Sequence, residues 1–330
     1  MPTLENMKAI QINGTQGTKS LRLVEVERPA PGANQVLIQV KATGLNYAEL
    51  EQTRGRYPLY KELPFVMGFE AAGVVVEVGS QVRTVRVGDR ITTVVSSGGF
   101  AEFAVADAGL ALPIPDDVSF AEATTLTIQG VSAYAILKLA AQPKPSDRVL
   151  IQAAAGGVGL FLVQLAKLFR VKQVITLASN EEKLDVLRSL GADIAINYSE
   201  GNWVDQVTEA TGGRGVDLLL QSVSGDIADQ SLGLVADFGR TVVFGASNVY
   251  DTILPERVQQ LIHKNQSLTG FNLPTIPVEQ IGPCVGEFLQ LVQQRKLRLF
   301  ANTQFPLEQF VEAFDALSSR QIIGKVVLLP

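Results

Sequence analysis

Hydrophobic and polar positions follow two different patterns along the chain, and the change falls near Ser119. Residues 7 to about 118 carry short alternating or β-branched runs: Met7–Ile12, Leu21–Glu27, Gln35–Ala42, Ala71–Val78, Arg90–Val95 and Phe100–Ala106. Turn signals such as Arg28-Pro29-Ala30-Pro31-Gly32, Gly79-Ser80 and Gly88-Asp89 separate them. Short strands so punctuated predict a β-rich, barrel-like unit. Arg54–Pro64 reads as a loop bearing Tyr and Pro, the kind of segment that often carries function. Ser119–Leu139 reads as helix, interrupted near Gly130. Beyond it, apolar runs at Arg148–Gln152, Gln173–Leu177, Ile194–Ile196, Asp217–Gln221, Arg240–Phe244 and Ser267–Gly270 alternate with helical segments such as Val158–Phe169, Glu181–Leu190 and Gly201–Thr211. Strand–helix alternation predicts a parallel sheet with right-handed crossovers, and six strands match a complete doubly wound α/β fold. The tail changes style again: Val278–Gln294 and Leu307–Leu317 are amphipathic, and Gly324–Leu329 reads as a last strand. No internal repeat or low-complexity segment breaks this order.

Composition narrows the function. A length of 330 residues suits about two domains, and 46% hydrophobic with 18% charged residues is ordinary for a globular chain. A net charge of −5 argues against a nucleic-acid-binding surface. The N-terminus shows no signal-peptide pattern. Val149–Ala166 is apolar enough to be checked as a membrane span, but its glycines and the following Lys167 favour strand, turn and packed helix. A cytoplasmic location is the expectation. One cysteine, Cys284, and one histidine, His263, cannot furnish a Cys/His zinc site. His263 lies in the amphipathic stretch Pro255–Asn265 with no nucleophile motif nearby, which suits a surface position.

Ala154-Ala155-Gly156-Gly157-Val158-Gly159 follows a hydrophobic run and opens a helical one. This is the spacing of G-x-G-x-x-G with alanine first. It permits a tight turn, close approach of backbone to a pyrophosphate at Ala155, Gly156, Gly157 and Val158, and helix–strand packing. The helix N-terminus adds free N–H groups for the anion. NAD-binding chains place an acidic residue roughly 20 residues on. Here the next strand ends Ala178-Ser179-Asn180, with Lys183 one turn later. No carboxylate repels a 2′-phosphate, so NADPH is the predicted cofactor. Ser179 also fits a helix-capping role in Ser179-Asn180-Glu181-Glu182, and both roles can hold.

The pattern as a whole resembles the zinc-free quinone oxidoreductase branch of the medium-chain dehydrogenase/reductase superfamily, the zeta-crystallin-like proteins. The resemblance rests on Gly44-Leu45-Asn46-Tyr47, Arg54-Gly55-Arg56-Tyr57-Pro58, Gly68-Phe69-Glu70-Ala71-Ala72-Gly73, Val87-Gly88-Asp89-Arg90, Ala153–Gly159, Ile196-Asn197-Tyr198 and Gly324-Lys325. It implies a GroES-like catalytic domain from residues 1–122, a Rossmann domain from 123–270, a C-terminal segment, 271–330, returning to the first, an active site in the cleft, and a homodimer joined through the Rossmann sheets. It implies that Lys183 and Tyr198 contact a 2′-phosphate, that Ser132 stands near the nicotinamide, and that Phe244, Gly245, Phe271, Asn272 and Lys325 line the cofactor. Zinc-dependent relatives place cysteine near Asn46–Tyr47 and histidine at Phe69. Many quinone-type relatives have aspartate at Glu49, and the usual Asp-x-Val-Gly after the fourth strand reads Gln221-Ser222-Val223-Ser224-Gly225 here.

Alkoxide chemistry usually calls on zinc as a Lewis acid. A chain without zinc ligands suits an intrinsically electron-poor acceptor, a quinone or an α,β-unsaturated carbonyl, for which positioning supplies most of the catalysis. Asn46, Tyr47 and Tyr57 are the candidate catalytic residues, as orienting or hydrogen-bond-donating groups. Tyr47 is equally explained by core packing, and Tyr57 by covering the site. Three functions follow: NADPH-dependent quinone reduction by hydride or single-electron steps; C=C reduction in an enone, alkenal or enoyl thioester; and NADPH binding with little turnover.

Overall fold

The computed structural model describes residues 5–59, 61–245 and 255–330; Tyr60 of the predicted loop lies outside them. In chain order the elements are β1 (Asn6–Ile12), β2 (Leu21–Glu27), β3 (Gln35–Leu45), α1 (Tyr47–Thr53), β4 (Phe65–Val66), β5 (Glu70–Val78), β6 (Arg90–Val94), β7 (Phe103–Asp107), β8 (Leu112–Pro113) and α2 (Phe120–Ala123). There follow α3 (Val131–Ala135), β9 (Arg148–Ile151), α4 (Gly157–Leu168), β10 (Gln173–Ala178), α5 (Glu181–Ser189), β11 (Ile194–Asn197), α6 (Trp203–Ala210), β12 (Val216–Gln221), α7 (Asp226–Gly233), β13 (Val235–Val243), α8 (Pro255–His263), β14 (Ser267–Gly270) and α9 (Val278–Gln293). β15 (Thr303–Pro306), α10 (Phe310–Ser318) and β16 (Val326–Leu329) close the chain. Two compact units result: residues up to Ile128 together with Leu299–Pro330, and Gln129–Arg298.

In the first unit, a seven-stranded sheet runs β15-β16-β3-β5-β6-β8, with β7 also paired to β3. β1 pairs with β2 and β4 in a separate small sheet. Ile10, Ile12, Leu45, Leu50, Met67, Phe100, Phe314 and Leu328 share one core, with Phe100 and Phe314 edge to face at 6.3 Å. The last strand matters most for the site. β16 lies antiparallel to β3 with Val326 opposite Leu45 and Val327 opposite Gly44, so Lys325 arrives beside Asn46.

The second unit holds the six-stranded sheet, all parallel, in the order β11-β10-β9-β12-β13-β14. Its central strands are buried on both faces, as Val149, Leu150, Ile151, Leu218, Leu219 and Leu220 show. That is why they read as continuous apolar runs rather than alternating ones. The strand order reverses between β9 and β12, the topological switch at which such sheets bind ligands. Val149–Ala166 folds as β9, a turn and most of α4, and no helix among the described residues is long and apolar enough to cross a membrane.

One expectation is met in part and another is corrected by packing. The helix expected over Ser119–Leu139 is interrupted near Gly130 as predicted, but more extensively: it runs as α2, a π-helical turn at Leu126–Gly130, α3 and a second π-helical stretch at Ile136–Ala141. The hydroxyls of Thr124 and Thr125 bond back to Ala121 and Glu122 carbonyls at 2.7 Å, competing with regular helix geometry. The chain also returns to the first unit at Leu299, not at 271. α9 stays with the second unit because Phe288 lies over Gly130, where a Cβ would meet its ring at 2.2 Å, and Tyr134 donates to Glu287 at 2.5 Å.

Candidate functional site

The glycine-rich turn sits at the C-terminal end of β9. Ala153 is forced into the left-handed region at φ 44°, an unusual state for a residue with a side chain. The Gly156 N–H then closes the turn on the Ala153 carbonyl at 2.8 Å. Gly156 is the N-cap of α4 and offers no side-chain cap, so the first N–H groups of the helix stay available to an anion. Gly159 permits close packing: a Cβ there would lie 2.4 Å from the Ala153 carbonyl oxygen. Ala155, Gly156, Gly157 and Val158 thus lie in the turn and the first residues of α4. Gln152, which the sequence reading did not single out, holds the neighbouring loop against it. Its side-chain oxygen accepts from the Ser222 N–H at 3.2 Å, and its carbonyl from the Ser222 hydroxyl at 3.3 Å.

Ser179, Lys183 and Tyr198 gather at the ends of β10 and β11. Lys183 Nζ donates to Ser179 Oγ at 3.3 Å, and the Tyr198 N–H to the Ala178 carbonyl at 3.0 Å. Burial pushes the Lys183 ammonium below the usual lysine range, with Glu182 opposing. The cap of α5 is Asn180 rather than Ser179: Asn180 Oδ1 accepts from the Lys183 N–H at 3.0 Å. That division leaves the Ser179 hydroxyl with the lysine. Glu181 pairs with Arg188 two turns further along α5. Phe244 and Gly245 follow β13, Phe271 and Asn272 follow β14, and Ser132 is buried in α3.

The first unit holds a buried charge cluster. Lys325 and Glu70 are both fully enclosed and paired. Lys325 Nζ also donates to Asn46 Oδ1 at 2.6 Å. Glu70 further accepts from Asn46 Nδ2 at 3.0 Å and from the Thr127 hydroxyl at 2.7 Å. Gly44 is needed here, since a Cβ on it would stand 2.2 Å from Lys325 Cε. Glu49, also fully buried, accepts from the Asn46 N–H at 3.0 Å and the Phe69 N–H at 3.1 Å. Burial pushes its carboxyl up to about 7, with Glu70 adding to the rise and Lys325 opposing it.

The chain matches two family descriptions: "Alcohol dehydrogenase GroES-like domain" over residues 32–116 and "Zinc-binding dehydrogenase" over residues 157–290. It is 30% identical over 328 residues to quinone oxidoreductase of Rattus norvegicus, covering 98% of each chain. This chain belongs to the quinone oxidoreductase family of the medium-chain dehydrogenases/reductases. Among solved structures, Escherichia coli quinone oxidoreductase complexed with NADPH superposes with a TM-score of 0.90 at 28% identity, over 98% of this chain and 100% of that one. The enoyl reductase CurK superposes with a TM-score of 0.87, also at 28% identity, over 98% and 99%.

No group of three or more His, Cys, Asp or Glu residues that could hold a metal occurs among the described residues. Asn46 is committed inward: its oxygen serves Lys325 and one amide hydrogen serves Glu70, which leaves one hydrogen for any other partner. Lys325, expected at the cofactor from the resemblance, is instead enclosed between Glu70 and Asn46. Tyr47 opens α1 and packs its half-buried ring on the core around Leu45 and Leu50. Glu49 is the capping-box partner of Asn46. Tyr57 sits in a loop that is tied down: Gln52 donates to the Pro58 carbonyl at 2.7 Å, and Arg54 and Arg56 both clamp the buried Glu51, at 2.9 and 2.7 Å. Glu51 and Thr127 had no signal in the sequence, because their partners are fixed by tertiary contacts. Glu70 stood within a quoted motif, but its pairing with Lys325 spans 255 positions.

Proposed function

We propose that this chain reduces quinones using NADPH as the hydride donor. The observation that carries the reading is the end of β10, where Ser179, Lys183 and Tyr198 meet and no carboxylate stands at the tip. A cationic, hydrogen-bonding corner of this kind suits a 2′-phosphate. Bound at the cradle of α4, NADPH supplies the hydride. The chain's own residues supply positioning: Asn46 offers its one remaining amide hydrogen, and Tyr57 its phenol, to the acceptor oxygen. Donors of this strength suit an acceptor that is already electron-poor, and the relation to quinone oxidoreductases supports a quinone. The fold is shared with an enoyl reductase, which favours C=C reduction as the second reading. In that case Tyr47 is the proton donor.

The test is a panel of 1,4-benzoquinone, 9,10-phenanthrenequinone, an enal and an enoyl-CoA, each with NADPH. Quinone turnover is expected, and turnover of the enoyl thioester alone would move the assignment to the second reading. NADPH binding without oxidation of the cofactor by any acceptor would leave a binding protein. In the active pair, Tyr57→Phe is expected to lower kcat about tenfold, the loss expected for one hydrogen bond of about 1.4 kcal/mol in the transition state. Unchanged kinetics would return Tyr57 to a packing role. The proposal includes a cytoplasmic homodimer. β14 ends the six-stranded sheet with mostly exposed residues, and Phe238, Val258 and Ile262 are exposed apolar side chains of the same unit. A single-chain mass by light scattering would remove it.

A further inference from the structure

Gln129 is a polar side chain for which neither the fold nor the proposed chemistry has yet given a reason. It lies in the π-helical turn Leu126–Gly130, a local widening of the helix that often marks functional positions. The residue is only 9% exposed, and its Oε1 is buried with no hydrogen-bond partner among the described residues. Gln221 Oε1 at the end of β12 is likewise unpartnered among the described residues, but the side chain of Gln164 is fully engaged. Gln164, also buried, donates to the Leu160 and Arg298 carbonyls at 3.0 and 3.2 Å and accepts from the Arg298 N–H at 2.8 Å. A buried amide oxygen left unpaired costs about 1–3 kcal/mol, so such an atom calls for a donor.

Its location says which donor. The amide of Gln129 lies directly against Gly157, the first residue of α4. A Cβ at that position would stand 2.1 Å from its Cδ and Nε2 and 2.2 Å from Oε1. Gly157 therefore lacks a side chain because Gln129 occupies that space, and the amide is brought to the edge of the anion cradle. Ser132 follows three residues later, on the same side of the helical segment. The groups of a dinucleotide that lie beside its diphosphate and carry hydrogen-bond donors are the ribose hydroxyls.

We propose that Gln129 is a cofactor-positioning residue whose amide oxygen accepts from a hydroxyl of the nicotinamide-side ribose. This rests on the reading of α4 as the diphosphate site. The contact gives the first turn of α4 a side-chain partner for the ribose in addition to its backbone N–H groups. It also accounts for the side chain's enclosure with one end unpaired.

The experiment compares three ligands by fluorescence or calorimetric titration of the full chain: NADPH, 2′-phospho-ADP-ribose, which keeps the second ribose without nicotinamide, and 2′,5′-ADP, which lacks that ribose. Gln129→Met, of similar length, is expected to weaken the first two about five- to tenfold and leave 2′,5′-ADP unchanged. The ligand-free melting temperature of the variant is expected to stay level or rise, because an unpaired buried oxygen has been removed. Gln129→Ser is the second variant, should methionine perturb folding. Loss for NADPH alone would put the contact on the nicotinamide and overturn the ribose assignment. Equal loss for all three ligands with a lower melting temperature would show a structural role and overturn it too. Failure of the unaltered chain to bind NADPH would remove the underlying reading. Unchanged binding by Gln129→Met, with normal binding by the unaltered chain, would remove this inference alone.

Discussion

Replacing Lys325 by methionine is expected to lower the melting temperature of the first unit by on the order of 10 °C. The ammonium is fully enclosed, paired with Glu70, and donates to Asn46 at 2.6 Å. Its removal leaves a buried carboxylate with, among the described residues, the Thr127 hydroxyl and the Asn46 amide for support. Breaking a buried pair from one side costs roughly 3–5 kcal/mol, because the remaining charge is uncompensated. The double variant Glu70→Gln/Lys325→Met removes that charge and should recover much of the loss, which calorimetry on the four members of the cycle will show. The effect should also depend on pH. The Glu49 carboxyl is raised from 4.5 to about 7 by burial and by Glu70. Its protonated form is the one favoured by folding, so this contribution is fully present below pH 4.5 and is lost as pH rises through 7. Lys325 opposes the rise, so without it the loss of stability between pH 5 and pH 8 should steepen. A Lys325→Met protein that melts with the unaltered chain at both pH values would refute the charge cluster as drawn.

Cofactor choice should respond as strongly to Lys183. Lys183→Met is expected to raise the NADPH dissociation constant roughly 10- to 100-fold, as expected for a charge-assisted contact, while NADH binding changes little. Lys183 Nζ is 3.3 Å from Ser179 Oγ, and the α5 cap on Asn180 is made by its backbone N–H, so methionine keeps the cap. Ser179→Asp should act in the same direction by a different route. It places a carboxylate at the tip of β10, which repels a 2′-phosphate and offers an acceptor to ribose hydroxyls. Fluorescence titration with both nucleotides at two salt concentrations reads the result. The preference for NADPH should also weaken with salt in the unaltered chain. Equal losses for both nucleotides would instead assign Lys183 to the structure of the β10–α5 corner.

Much of this protein was legible along the chain. The central strands of the parallel sheet, β9 and β12, are buried on both faces, so they appear as apolar runs between helices. The strands of the first unit announce themselves by punctuation. The glycine-rich turn and the strand tip at Ser179 are local features, made by residues close in sequence, and their geometry follows from spacing. The helix α1 was not visible, because Glu49, Leu50, Glu51, Gln52 and Thr53 are all buried and no amphipathic period survives. The breaks in the segment from Ser119 to Leu139 depended on threonine back-bonding and on Phe288 filling the space above Gly130.

What the sequence by itself determined, then, was the two kinds of unit, the glycine-rich turn that opens α4 and the presence of a single cysteine and a single histidine. Tertiary structure alone decided what stands at the corresponding positions. The pairing of β16 with β3 carries Lys325 across 279 positions to Asn46, and that register turns a glutamate, a lysine and an asparagine into one buried network. Spacing cannot foretell such a contact, because the strand register that creates it is set by burial of the whole sheet.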